Sequence, residues 1–286
     1  MMRKILHLFI YIALIFVAGS CGNSVKKSYD NTIFVSIAPL KPLVEAIVGE
    51  EFSVEILVPA GASPETFEPT PKQFIALNES VMVLGTGLLD FEKSILQRVH
   101  DQSKVIDLSQ GITTIAGSCS HTHHGKHCHH GVDPHIWCSP KCIDIMAQNI
   151  YNALVAKMPN KDYTASYSAL NERIQELDRA VNSLCNNSAL PYFIIYHPAL
   201  TYLARDYNLE QVAIEHEGKE PSAKRLASII ERAQRDGIKR VFYQSELPES
   251  SVAVIAEDIG AEAVEINPLE ENIFENISTI ATLITE

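Results

Sequence analysis

The stretch DYTASYSALNERIQELDRAVNSLCNN, residues 162–187, decides how this chain is built. Tyr163, Tyr167, Leu170, Ile174, Leu177, Val181 and Leu184 recur at alternating steps of four and three, with Asn171, Glu172, Arg173, Glu176, Asp178 and Arg179 between them. That period predicts one amphipathic helix, roughly 35 Å long at about 1.5 Å per residue. A coiled-coil seam has the same signature, so what flanks the helix has to choose. On its N-terminal side, strands at 32–37, 54–59, 80–85 and 104–108 alternate with helices at 40–48, 71–78, 89–99 and 140–157. On its C-terminal side, strands at 192–197, 209–215, 239–244 and 261–266 alternate with helices at 199–206, 222–235, 249–259 and 271–283. Short β-branched runs separated by helical patterns mean parallel sheets covered by helices. The expected fold is α/β: two small lobes with mainly parallel sheets, joined by one long backbone helix, with a cleft between them. The corresponding divisions are a lobe at 32–160, the linking helix at 161–188 and a second lobe at 189–286.

Ahead of the first strand, MMRK precedes an apolar run from Ile5 to Ala18, interrupted by His7 and followed by Gly19-Ser20-Cys21. A basic start, an apolar segment too short for a comfortable bilayer span and small residues before a cleavage point predict a signal peptide over 1–20. Ala18-Gly19-Ser20-Cys21 resembles a lipoprotein cleavage site, which would leave Cys21 lipidated and residues 21–31 as a tether. The folded part is then exported and anchored to a bacterial membrane, in the periplasm. The chain is acidic, with net charge −12, and removing the leader with Arg3 and Lys4 takes it to −14. Nucleic acid is therefore excluded as a partner, and a mobile cation suits the charge. A monomer is expected.

The segment CSHTHHGKHCHHGVDPHIWCSPKC, residues 119–142, holds seven of the eleven histidines and four of the six cysteines. Imidazole and thiolate are the ligands that divalent zinc and its neighbours prefer. Composition divides the segment. His121, His123, His124, His127, His129 and His130 lie in a run without apolar anchors, which predicts a loop with weak metal affinity within 119–131. From Gly131 onward Pro134 and Pro140 fix backbone angles, and Ile136 and Trp137 are candidates for burial, so His135 is a positioned residue. Five cysteines remain after Cys21. One disulfide from Cys119 or Cys128 to Cys138 or Cys142 is expected to tether the loop; a second zinc site on these thiolates is the rival, and sequence leaves the pairing of all five, Cys185 included, open.

In open parallel sheets, ligands bind beyond the carboxyl ends of the strands. His197 follows the strand YFIIY, Asn267 follows AVEI, and Glu65 lies in the turn after VEILVP. With His135, these make two metal-capable residues from each half.

The segments PAGASPETFEPTP (59–71), GVDPHIWCSP (131–140), YHPAL (196–200), EPSAKRL (220–226) and INPLEEN (266–272) resemble those of the periplasmic substrate-binding lipoproteins of metal-cation ABC transporters, the zinc and manganese binding proteins. A histidine-rich insert just ahead of the DPHIW-like segment is similar to the zinc branch. The resemblance spans essentially the whole chain. It implies capture of Zn2+, with Mn2+ as the alternative cargo, and delivery to an ABC transporter membrane permease.

It also places His135 and His197 on the family's ligand positions. Two positions depart from the pattern: Glu65 stands where the family has a histidine in a phrase like DPHTYEP, and Asn267 where it has an aspartate in a phrase like LDPL. Gln244 stands where relatives often carry a glutamate. Glu65, His135, His197 and neutral Asn267 with a dication keep the net +1 of a three-histidine, one-aspartate zinc site. His216 is the spare candidate if Asn267 is not used. A zinc hydrolase would share such donors, but the chain has no HExxH, GxSxG or GxxxxGK[ST] and no assigned general base. The reading is therefore a binding protein and not an enzyme, with a lipid-anchored adhesin or a metal-buffering surface protein as the remaining alternative.

Overall fold

The computed structural model describes residues 28–117, 131–215 and 221–286, apart from Pro248. The leader, Cys21, the six loop histidines, Cys119, Cys128 and His216 lie outside the described residues.

Two four-stranded parallel sheets form the frame. The first comprises β1 (Thr32–Val35), β2 (Ser53–Ile56), β3 (Met82–Gly85) and β4 (Val105–Asp107), in the order β2-β1-β3-β4. The second comprises β5 (Tyr192–Ile195), β6 (Glu210–Ala213), β7 (Arg240–Gln244) and β8 (Glu262–Ile266), in the order β6-β5-β7-β8. Every pairing is parallel. Both sheets thus start in the centre, step to one edge and cross back to the other. This places the β1/β3 and β5/β7 crevices at the carboxyl ends of the central strands. Central strands β1, β3 and β5 are buried along their whole length, in keeping with their predominantly apolar residues.

The nine helices of the described residues are α1 (Lys41–Val48), α2 (Pro71–Glu79), α3 (Asp90–Leu96), α4 (Pro140–Lys157), α5 (Thr164–Asn186), α6 (Thr201–Asp206), α7 (Ala223–Asp236), α8 (Ser250–Ile259) and α9 (Ile273–Thr285). Local chemistry sets several of their ends. Thr70 and Gln73 form a reciprocal capping box at the start of α2, with Pro71 in the first turn. Ser222 caps α7 by accepting from the Arg225 amide, and Gly237 closes that helix in the left-handed conformation, at φ +73°.

Helix α5 is continuous over 23 residues, about 35 Å at 1.5 Å per residue. It buries Leu170, Ile174, Leu177, Val181 and Cys185. The stripe drifts from the expected Leu184 to Cys185 because a straight helix turns every 3.6 residues, not every 3.5. This face packs against α1 and α4 of the first lobe and α9 of the second. The apolar seam is thereby covered within the chain, and the coiled-coil alternative falls away. One hydrophobic core runs from the first sheet under α5 into Phe193, Ile195, Tyr202, Phe242 and α9, and a smaller core lies on the other face of the second sheet.

The cysteines depart from expectation. Cys138, in a single 3-10 turn over Ile136–Cys138, and Cys142, on the inner face of α4, are buried free thiols, as is Cys185. The tether expected through Cys138 or Cys142 is not formed: both are free thiols packed into the core. Burial, with Asp133 and Cys142 nearby, pushes the Cys138 thiol well above its usual range; burial, with Asp206, pushes Cys142 up to about 11. Among the described residues, none of these three thiols belongs to a group of side chains placed to share a metal ion.

Candidate metal centre

The second sheet aligns one wall of the cleft. β5 and β6 pair with Ile195 opposite Ala213, and β5 and β7 with Ile195 opposite Phe242. Two residues further along each strand direction stand Glu215, His197 and Gln244, a row across three neighbouring chain segments. The ladder continues into this row: the Tyr196 amide donates to the Phe242 carbonyl and the Glu215 amide to the Tyr196 carbonyl, at 2.8 and 2.9 Å. Gln244 donates from Nε2 to the His197 carbonyl at 2.6 Å.

The first lobe supplies the opposite wall. Glu65 sits in the turn 59–70 between β2 and α2, where its amide donates to the Ser63 hydroxyl at 3.3 Å. His135 precedes the 3-10 turn. Its backbone amide and its ring Nδ1 both lie 2.9 Å from Oδ1 of Asp133. Asp133 is buried, and burial alone would raise its pKa; the charge and hydrogen bonds of His135, with a contact from Thr201, outweigh this and hold it below the usual carboxylate range. The Asp133 carbonyl accepts from the Tyr202 hydroxyl at 2.7 Å. Trp137 packs its ring 5.2 Å from that of His135 and donates from Nε1 to the Pro268 carbonyl across the cleft at 2.9 Å.

Glu65, His135 and His197 converge across this cleft. Each offers one ligand atom within 4.8 Å of the others, the sole such three-residue group of histidine, cysteine and acidic side chains among the described residues. The two imidazole centroids are 5.3 Å apart. His197 reaches Oε1 of Glu65 through Nε2 at 3.3 Å and Oε2 of Glu215 through Nδ1 at 3.2 Å. Each histidine therefore has Nδ1 engaged by a carboxylate, which leaves Nε2 as the nitrogen that can face a metal, the usual arrangement of metal-binding histidines. Burial lowers the His197 pKa, but Glu215, Glu65 and Asp133 raise it by more, so its net shift is upward. A cavity of about 110 Å³ lies here, bounded by Glu65, Leu89, His135, Trp137, His197 and Gln244. Two nitrogens, one carboxylate oxygen and the flanking Trp137 ring suit a zinc-sized dication.

The family of zinc-uptake complex components A, periplasmic (ZnuA), matches residues 33–284. The chain belongs to the ZnuA family. Its members are binding components of uptake systems, not enzymes. The chain is 30% identical over 295 residues to the high-affinity zinc uptake system protein ZnuA of Bacillus subtilis, covering 94% of this chain and 90% of that one. It is 27% identical to the zinc-binding lipoprotein AdcA of Streptococcus pneumoniae, covering 94% of this chain and 56% of that protein, so it spans about half the length of the AdcA relatives it matches. A crystal structure of a zinc-bound deletion mutant of ZnuA superposes with a TM-score of 0.80 at 33% identity, over 89% of this chain and 96% of that one.

Of the four residues expected to meet at a metal, the structure brings three together and leaves Asn267 outside. Asn267 Oδ1 accepts from the Leu269 amide at 3.0 Å, its Nδ2 lies 3.3 Å from Glu270, and it borders a neighbouring cavity with Glu246 and Glu271. Register gives the reason: Ile266 pairs with Gln244 in the site row, so Asn267 is one step further and turns to the other face. Sequence reasoning missed Asp133 and Glu215. The DPH spacing was the signal for Asp133. Glu215 required knowing that β5 and β6 are neighbours.

Proposed function

We propose that this protein captures Zn2+ outside the cytoplasm, between its two lobes, and delivers it to an ABC-type membrane permease. Glu65, His135 and His197 hold the ion. The observation that carries this reading is the convergence of donors from both lobes with both Nδ1 atoms already engaged by carboxylates. Contacts between the lobes, Trp137 to Pro268, buried, and Ser139 to Asp206 at 2.5 Å, half-buried, favour a small closure over a wide hinge. Cys21 carries the lipid anchor, and the six loop histidines collect zinc weakly near the mouth. Glu65 makes the site richer in oxygen than a three-histidine site, which keeps Mn2+ as the alternative cargo; zinc exceeds manganese for a given nitrogen and oxygen set.

Equilibration of purified protein with both ions, followed by metal analysis, tests the cargo: retention of zinc is expected, and preferential retention of manganese would overturn it. Deletion in the source bacterium should reduce zinc uptake, while purified protein should show no turnover of ester or peptide substrates.

A further inference from the structure

Three protein donors leave one position of a four-coordinate zinc ion without a protein ligand. Asn267 does not supply it, since its oxygen is committed to the Leu269 amide. Gln244 is 5% exposed and borders the same cavity as Glu65, His135 and His197. Its Nε2 donates to the His197 carbonyl, which fixes the orientation of the amide. Its Oε1 is buried and has no hydrogen-bond partner among the described residues. A buried acceptor in that state calls for a donor.

We propose that Gln244 is a positioning residue for the cargo site: its Oε1 accepts a hydrogen bond from a water molecule that fills the fourth position on the captured ion. This rests on the reading of Glu65, His135 and His197 as the cargo ligands. Water is favoured over direct ligation by the amide on two grounds. Zinc sites are built from thiolate, imidazole and carboxylate, and a neutral amide oxygen is a weak ligand but a good acceptor. The cavity, about 110 Å³, exceeds the roughly 30 Å³ that a water occupies in the liquid, so it has room for the ion and a water. A neutral acceptor also avoids a third carboxylate beside Glu65 and Glu215. The consequence concerns release: an incoming ligand displaces the water before any protein donor lets go.

The test loads the full-length protein with one equivalent of Co2+ as a spectroscopic substitute and titrates azide, an anion that replaces water but donates no hydrogen bond. Wild type should show a saturable change in its visible bands. Gln244→Leu removes the acceptor that favours water, and should bind azide about tenfold more tightly, the size of one hydrogen bond. Gln244→Glu should bind it more weakly than wild type. A role confined to holding the His197 backbone would change metal affinity and melting in both variants without moving azide affinity in opposite directions. Wild-type bands insensitive to azide, or equal azide affinity in wild type and Gln244→Leu, would overturn the proposal. So would a zinc-bound crystal structure with Gln244, Glu246 or Asn267 directly on the metal; that structure also decides the matter if the leucine variant does not fold. Failure of wild type to bind Co2+ or Zn2+ would instead remove the cargo reading, and the proposal with it.

Discussion

His197 meets Glu215 through Nδ1 at 3.2 Å, and the two stand side by side because β5 and β6 run parallel in register. The carboxylate keeps a proton on Nδ1 and turns Nε2 toward Glu65. Partners of this kind set the tautomer and basicity of a ligand, and their loss typically lowers metal affinity 10- to 100-fold. Glu215→Ala should therefore bind zinc about 10- to 100-fold more weakly in competition with a chromogenic chelator. Glu215→Gln should lie between it and wild type. Equal affinity in all three would show that the contact does not prepare the ligand.

Removal of the ligand itself is more severe. His135→Ala and His197→Ala each delete a nitrogen that no neighbouring residue replaces, and each should lose more than about 100-fold in affinity. Zinc at 100 times its dissociation constant stabilises the folded state by about 2.7 kcal/mol, visible as a higher melting temperature. Both variants should lose this gain at a zinc concentration that gives it to wild type. A full holo shift in either would remove that histidine from the site.

Proton competition has a defined sign. His197 has its pKa raised, against the effect of burial, by Glu215, Glu65 and Asp133. Only neutral imidazole binds zinc, so affinity should fall as pH drops through that raised value, up to tenfold per unit below it. In the metal-free protein the sign is opposite. A raised folded-state pKa gives a contribution that is fully present below the unfolded value of about 6.5 and lost as pH rises through the folded value. The zinc-induced melting increment should thus grow from acid toward neutral pH. An increment independent of pH across this window would refute the assignment of His197.

The loop is separable from the site. A variant lacking residues 121–130 removes six histidines but none of Glu65, His135 and His197. Calorimetric titration should show loss of weak zinc binding and retention of one tight site. Loss of the tight site would place the primary ligands in the loop.

Much of this architecture was legible in the sequence, for reasons particular residues show. The strands and helices announced themselves because each apolar run was short and bounded, and Pro71, Pro140 and Gly237 stand at helix boundaries where their backbone preferences place them. His135 and His197 were readable because each lies where the chain leaves ordered text for a turn. What stayed hidden depended on which strands are neighbours. Glu215 lies 18 residues from His197, and only the β6-β5-β7-β8 order brings it, with Gln244, onto one row. The thiols of Cys138 and Cys142 were misread because spacing carries no information about which face of a turn is buried.

Asn267 is the sharpest case of the same limit. By sequence it occupies a ligand position, so replacing it with aspartate would be expected to strengthen zinc binding. The structure predicts otherwise. Its Oδ1 caps the Leu269 amide, and an aspartate oxygen would accept that bond equally well, so the side chain has no reason to swing into the cleft. The cost would arise at Glu270: Nδ2 of Asn267 lies 3.3 Å from its carboxylate, and two carboxylates there would repel, by less than about 1 kcal/mol at an exposed site. Asn267→Asp should therefore melt slightly lower with and without zinc alike, with zinc affinity within about threefold of wild type, a difference of less than 1 kcal/mol. Glu65→Gln provides the contrast, because it removes the one carboxylate of the three-ligand group and should weaken zinc binding about 100-fold, the effect of losing a ligand's charge. Chelator competition on both variants decides the matter. A tenfold gain in Asn267→Asp would return position 267 to the metal, whereas unchanged affinity there with a large loss in Glu65→Gln assigns the site's anionic oxygen to the first lobe alone.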